Sequence, residues 1–174
     1  MFTDPQSNVR QFGLAPGMQI ADLGAGTGSY SLAAAKAVGG TGKVYAIDIQ
    51  KDLLEKLKNQ ARAEHLTNIE IVWGDIEKVG GSKLAPSAVD GAIVSNILFQ
   101  LTDKGSFLKE LKRIVRPGGK VFVVDWTDSF GGIGPQPEHV ITKETAKKLF
   151  MEEGFKLERE FRAGAHHYAL IFIV

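Results

Sequence analysis

Gln19-Ile20-Ala21-Asp22-Leu23-Gly24-Ala25-Gly26-Thr27-Gly28 is the stretch on which the fold turns. Five residues of strand character run into three glycines spaced two apart. An alanine-rich segment of helical character, Ser29–Val38, follows directly. Strand, tight glycine turn and helix together open an α/β unit. Glycine permits the sharp turn and lets the backbone come close to a ligand, and the free N–H groups of a helix N-terminus suit an anion. A glycine-rich connection with no catalytic meaning is the plainer reading of the same residues. The strict dinucleotide fingerprint G-x-G-x-x-G/A is not met. The spacing is G-x-G-x-G, and Ser29 stands where the third small residue belongs.

Outward from this stretch the pattern repeats. Lys43–Ile49 alternates and is β-branched, which predicts a second strand. Asp52–His65 carries Leu53, Leu54, Leu57 and Ala61 along one helical face, with Asp52 as its expected N-cap. Asn68–Trp73 and Gly91–Ser95 with its flanks predict the third and fourth strands. A helix is expected from about Ser106 to Val115, stopped by Arg116-Pro117-Gly118-Gly119. Lys120–Trp126 is the fifth strand, and a helix capped by Thr142 runs from about Lys143 to Glu153. Lys156–Phe161 and His167–Val174 complete seven strands. The short connection between these last two cannot make a parallel crossover, so they form an antiparallel hairpin. The expected fold is α/β: a Rossmann-like three-layer sandwich on a mostly parallel seven-stranded sheet with its last strand antiparallel.

Composition narrows the function. The 174 residues fit one domain, 1–174, with 1–16 as an N-terminal cap segment and the 127–141 loop able to serve as a lid. Twenty-one basic against twenty acidic residues give a formal charge of +1, without the basic excess of a polyanion binder. The absence of cysteine excludes disulfides, thiolate metal sites and cysteine nucleophiles. No signal-like or membrane-spanning apolar run is found, so a cytoplasmic protein is expected.

In open α/β sheets, ligands bind beyond the carboxyl ends of the strands. The strand ends here form a set. Asp22 and the glycine loop close the first, and Asp48 closes the second, where a carboxylate can accept from both ribose hydroxyls. Gly74-Asp75-Ile76 follows the third, and Ser95-Asn96 the fourth. Each alone is a common cap or turn. In this order they make the chain resemble the class I S-adenosylmethionine-dependent methyltransferases. The matching pieces are IADLGAGTG, YAID, VWGDIE, VDGAIVSN and LKELKRIVRPGGKVFVVDW, and the likeness runs from about Phe12 to Val174. Within the family, the sequence is most similar to the group that includes the ubiquinone and menaquinone biosynthesis enzymes.

The resemblance implies S-adenosyl-L-methionine as cofactor. Asp22, Gly24, Ala25, Gly26 and Gly28 would surround its methionine part, and Asp48 would hold the ribose hydroxyls with Ile49 beside the adenine. Asp75, after Gly74, would contact the adenine amine and Ile76 would pack on the ring. Ser95 and Asn96 would lie near the sulfonium. The acceptor is unidentified, with a small molecule favoured and nucleic acid or protein left open. Oligomeric state is not read from the sequence. Phe99-Gln100 stands where the biosynthetic group often has His-His, which puts quinone-precursor chemistry in doubt. The Pro-Pro-aromatic continuation of nucleobase amino methyltransferases is also missing after Ser95-Asn96.

Methyl transfer from a sulfonium is an in-line displacement, in which a protein contributes alignment and exclusion of water. A base is needed only where the nucleophile must lose a proton. His166, His167 and Asp125 lie on the carboxyl edge by topology and are the catalytic candidates. Structural roles in a loop or cap are the plainer reading of all three, and no metal is expected. Two other readings stand beside the methyltransferase: a nicotinamide-dependent oxidoreductase, and a non-catalytic S-adenosylmethionine-binding module.

Overall fold

The computed structural model describes residues 3–174. Its elements, in chain order, are α1 (Pro5–Phe12), β1 (Gln19–Leu23), α2 (Ser29–Val38), β2 (Lys43–Asp48), α3 (Lys51–Ala63), β3 (Ile69–Trp73), β4 (Val89–Ser95), α4 (Lys104–Ile114), β5 (Val115–Trp126), a 3₁₀ turn (Pro137–His139), α5 (Lys143–Glu152), β6 (Lys156–Gly164) and β7 (His167–Ile173). The strands form one sheet in the order β3-β2-β1-β4-β5-β7-β6. β1 pairs in parallel with both β2 and β4, and β7 runs antiparallel between β5 and β6. The expected fold class and the final hairpin are both observed. Chain order reverses at β1, so the crevice for a ligand opens over the ends of β1 and β4.

Side chains alternate across the sheet, as a pleat covered on both faces requires. Val121, Val123, Leu170 and Phe172 join Phe107, Leu108, Leu111 and Phe150 of α4 and α5 on one face. Phe122, Val124, Ala169 and Ile171 join Val9 and Phe12 of α1 and Ala34 and Val38 of α2 on the other. Each large side chain buried here contributes roughly 1.5–3 kcal/mol relative to exposure. The alanines of α2 let it lie close on the sheet, which sets the glycine loop at a fixed height above β1.

Three local expectations are corrected. The helix α4 starts at Lys104, because the Asp103 carboxylate caps it through Ser106 N–H. Arg116–Gly119 lies within the span of β5: Val115 already pairs with Val89, and the register shifts before Gly91 pairs Lys120. Gly118, at φ +76°, turns the backbone at this irregularity. Gln50, not Asp52, is the N-cap of α3. The 1–16 cap segment contains a helix, α1, capped by Asp4 and begun by Pro5. Its Phe12 ring lies 4.7 Å from Phe122, and buried Asn8 donates to Tyr30 Oη and the Ala163 carbonyl. Met1 and Phe2 of that segment lie outside the described residues. Among the described residues, no helix is long and apolar enough to cross a membrane.

Candidate active site

A cleft of about 570 Å³ opens over the ends of β1 to β4, within the size range of small-molecule sites. Of the residues singled out in the sequence, Gly24, Ala25, Gly26, Asp48, Ile49, Gly74, Asp75, Ile76, Ser95 and Asn96 line it. Asp22, Gly28, Asp125, His166 and His167 do not.

The three loop glycines have left-handed φ of +76°, +55° and +85°, which explains the residue type at all three. Their surroundings differ. A Cβ on Gly24 would stand 2.7 Å from Ile97 Cγ2, and one on Gly28 would stand 2.1 Å from Leu57 Cδ1. A Cβ on Gly26 would meet nothing within 4 Å. Gly24 and Gly28 are therefore occupied by the protein's own packing, and Gly26 alone faces open space.

Asp48, at the end of β2, fixes the loop. Its Oδ2 accepts from Gly26 N–H at 2.8 Å and its Oδ1 from Gln50 N–H at 2.8 Å. One carboxylate thus ties the glycine turn to the start of α3, and each oxygen keeps a lone pair for a ligand hydroxyl. Asp22 lies beneath the loop, where its Oδ2 accepts from Ser31 Oγ at 2.6 Å. Its Oδ1 is buried without a hydrogen-bond partner. Burial, opposed by the Ser31 hydrogen bond and reinforced by the Asp48 charge, raises the Asp22 pKa to about 6.

At the end of β3, Asp75 accepts from Glu77 N–H at 3.0 Å and pairs with Lys78 at 2.9 Å. The Lys78 hydrogen bond holds its carboxyl below the usual range, against the opposing effect of partial desolvation. Gly74 is required by space, since a Cβ would stand 2.4 Å from the Gly81 carbonyl oxygen. At the end of β4, Asn96 adopts φ +56°, its N–H donates to Val124 O at 2.8 Å, and its carbonyl accepts from Gln100 Nε2 at 2.9 Å.

The catalytic candidates are placed elsewhere. Asp125 is 1% exposed, and its two oxygens accept from Leu98 N–H at 3.0 Å and Trp126 N–H at 2.8 Å. Burial raises its pKa to about 6, opposed by those backbone N–H groups. His166 Nδ1 lies 2.8 Å from Asp128 Oδ1, and its ring stacks 4.1 Å from Phe130. His167 is buried against Trp126, ring centroids 4.2 Å apart. It lines a separate cavity of about 450 Å³ together with Lys143 and Tyr168. None of the three reaches the cleft, because the register of β5 and β7 turns Asp125 into the protein and puts His167 opposite Trp126. The 127–141 loop contributes nothing to the cleft lining; Gly134 seats it on Trp126, where a Cβ would come within 2.6 Å of the ring.

The lining also includes Thr3, Pro5, Tyr30, Leu53, Gln100 and Leu101. The sequence reading did not assign these residues to the site. Asp4-Pro5 is a legible helix start and could have flagged the first two; nothing in the local pattern marks Tyr30. Among the described residues, no group of three His, Asp or Glu side chains is arranged to hold a metal.

A family model described as a methyltransferase domain matches residues 14–162. The ubiquinone/menaquinone biosynthesis C-methyltransferase UbiE of Burkholderia mallei (strain SAVP1) is 32% identical over 126 residues, 72% of this chain and 48% of that protein. The demethylmenaquinone methyltransferase of Geobacillus sp. (strain WCH70) is 26% identical over 120 residues, 69% of this chain and 50% of that protein. The chain thus spans about half the length of these curated relatives. The crystal structure of a SAM-dependent methyltransferase from Aquifex aeolicus superposes with a TM-score of 0.90 at 29% identity, covering 99% of this chain and 91% of that one. With the strand order, the glycine loop and the strand-end cleft, these matches identify the chain as a member of the class I S-adenosylmethionine-dependent methyltransferase family.

Proposed function

We propose that the chain binds S-adenosyl-L-methionine in the β1–β4 cleft and catalyses methyl transfer to a small-molecule acceptor. The observation that carries this reading is the pairing of Gly26 with Asp48. The glycine leaves room for a ligand, and the carboxylate that holds its backbone lies at the position expected for a ribose. The donor set fits the cofactor. Backbone of Gly24–Gly28 would border the methionine part, above Asp22. Asp48 would hold the ribose, and exposed Ile49 would cover one side of the adenine. Gly74 allows the turn that would bring Asp75 and Ile76 to the ring, where Asp75 would accept from the adenine amine beside, or in place of, exposed Lys78. Ser95 and Asn96 would border the reacting end.

When bound, the cofactor supplies a methyl group on a good leaving group, so the chain's task is orientation and exclusion of water. Tyr30 and Pro5 flank the cleft and bring α1 to its rim. Asp125 acts as a positioning residue, because its carboxylate holds the Leu98 backbone and with it the loop that carries Asn96. We assign His166 and His167 to seating the β6–β7 hairpin and the 127–141 loop. A cytoplasmic location agrees with the cysteine-free sequence.

The relatives' printed names support a small-molecule acceptor and do not fix which one. Isothermal titration with S-adenosylmethionine and, separately, with NAD(H) tests the cofactor. The expected result is sulfonium binding alone, and nicotinamide binding alone would return the oxidoreductase. Binding without transfer of labelled methyl to any acceptor fraction would favour a non-catalytic module.

A further inference from the structure

The connection from β3 to β4 joins strands of one parallel set without a helix of its own. Residues 74–88 are irregular, with Gly80 at φ +82° and Lys83 at φ +64°, so their backbone N–H groups must find partners outside any regular ladder. Glu110, a fully buried residue of α4, supplies two of them. Its Oε2 accepts from Gly80 N–H at 2.7 Å, and its Oε1 accepts from Ser82 N–H at 3.2 Å and from the Ser82 hydroxyl. Arg113 completes the cluster: Nε donates to Oε2 at 2.8 Å, and Nη2 donates to Oε1 at 2.7 Å and to Leu84 O at 2.8 Å. Burial opposes the charge of Glu110, yet these donors outweigh it and hold its carboxyl down at about 2.

Between the two clamped residues stands Gly81, which abuts the turn at the end of β3. A Cβ on Gly81 would come 1.9 Å from Asp75 O, and a Cβ on Gly74 would come 2.4 Å from Gly81 O. Gly81 N–H donates to Lys78 O at 2.8 Å, and Lys78 N–H donates to Asp75 O at 3.2 Å. Gly74, Asp75, Ile76 and Glu77 line the cleft, whereas Gly80, Gly81, Ser82 and Glu110 do not. Direct contacts therefore run from a carboxylate on α4, through Gly81, to the wall of the cleft. The start of α4 holds the same stretch a second time, where Glu77 Oε2 accepts from Asp103 N–H. The residue type at 110 matters because both oxygens of a carboxylate accept. An amide of the same shape would turn an NH₂ group toward one of the clamped N–H groups.

We propose that Glu110 is a positioning residue for the cofactor: from outside the cleft it fixes the 74–77 turn through Gly80, Gly81 and Ser82, and so sets the affinity for the adenosine part of the ligand. This rests on the S-adenosylmethionine reading given above. The coupling is reciprocal. If release of the clamp weakens cofactor binding by some factor, bound cofactor must make opening of the clamp rarer by the same factor.

The test compares wild type with Glu110→Gln by titration calorimetry, at a temperature where circular dichroism shows the variant folded. The probes are S-adenosylmethionine and 5′-methylthioadenosine, which lacks the amino acid part. Binding of both should weaken at least about tenfold in the variant, equivalent to about 1.4 kcal/mol. Unchanged affinity in the folded variant would leave Glu110 a structural residue only, and overturn the positioning role while the cofactor reading stands. A loss for S-adenosylmethionine without one for 5′-methylthioadenosine would also overturn it, because the effect would lie at the other end of the cleft. Failure of wild type to bind S-adenosylmethionine overturns both. Where Glu110→Gln does not fold, hydrogen exchange of wild type decides. Saturating S-adenosylmethionine should slow the Gly80 and Ser82 amides at least about tenfold relative to those of β6, at the edge of the sheet. Unchanged relative exchange at these two amides would overturn the coupling.

Discussion

At the ends of β2, β3 and β4, strand-end polar groups face a cleft, whereas at the end of β5 and the start of β7 they turn away from it. Asp48 and Asp125 make the contrast concrete. Both carboxylates close a parallel strand and accept two backbone N–H bonds. Asp48 lines the 570 Å³ cleft, while Asp125 is enclosed beneath the loop it holds. Lying on the carboxyl edge is therefore necessary for a site residue and not sufficient. What decides is whether local packing leaves the group an open side.

The same division separates the loop glycines, and it can be broken by substitution. Gly28→Ala places a methyl group against buried Leu57 in a left-handed backbone, and should destabilise the protein by about 3 kcal/mol. Gly26→Ala carries only the backbone penalty, about 1 kcal/mol, with a larger relative loss in cofactor affinity. Urea denaturation of both variants checks the pair. Equal destabilisation would mean that Gly28 is as open as Gly26.

A smaller effect sharpens the comparison through pH. Asp22 has its native pKa raised to about 6 from an ordinary 3.8, so its charge is disfavoured in the folded state. Between these values the native chain binds a proton that the unfolded chain has released. The destabilisation is complete above pH 6, fades as pH falls, and vanishes below the unfolded value. Asp22→Asn should thus exceed wild type in stability by about 2–3 kcal/mol at pH 8, with the advantage falling below about 1 kcal/mol near pH 4. An advantage constant with pH would show that Asp22 is not strained by its burial.

The smallest expected effect is on turnover in the hairpin. His166→Ala and His167→Ala should lower the melting temperature, the latter more because it is buried against Trp126. Their turnover at saturating acceptor should stay well short of the roughly 100-fold loss that removing a general base brings. A loss of that size at unchanged stability would make the hairpin part of the chemistry.

Much of this arrangement was legible in the chain. A short apolar run leading into the glycine turn located β1 and its loop, and the short connection before His167 dictated an antiparallel partner. Other features depend on contacts distant in sequence. α1 is eight residues long and gains its stability from Phe122, more than a hundred positions away. The helix-stopping look of Arg116–Gly119 hides a strand, because Val115 pairs with Val89. For the site, residue type marked Asp48 and Asp125 alike; only the register of β5 tells which one meets the cleft. The left-handed backbone of Asn96 is likewise announced by no local pattern.

The central claim is that the cofactor is held where the glycine loop meets the end of β2. Titration calorimetry of S-adenosylmethionine against wild type and Asp48→Ala tests it most directly, with circular dichroism confirming that the variant is folded. The account predicts at least a tenfold weaker affinity in the variant, about 1.4 kcal/mol. An unchanged affinity in a folded variant would contradict it.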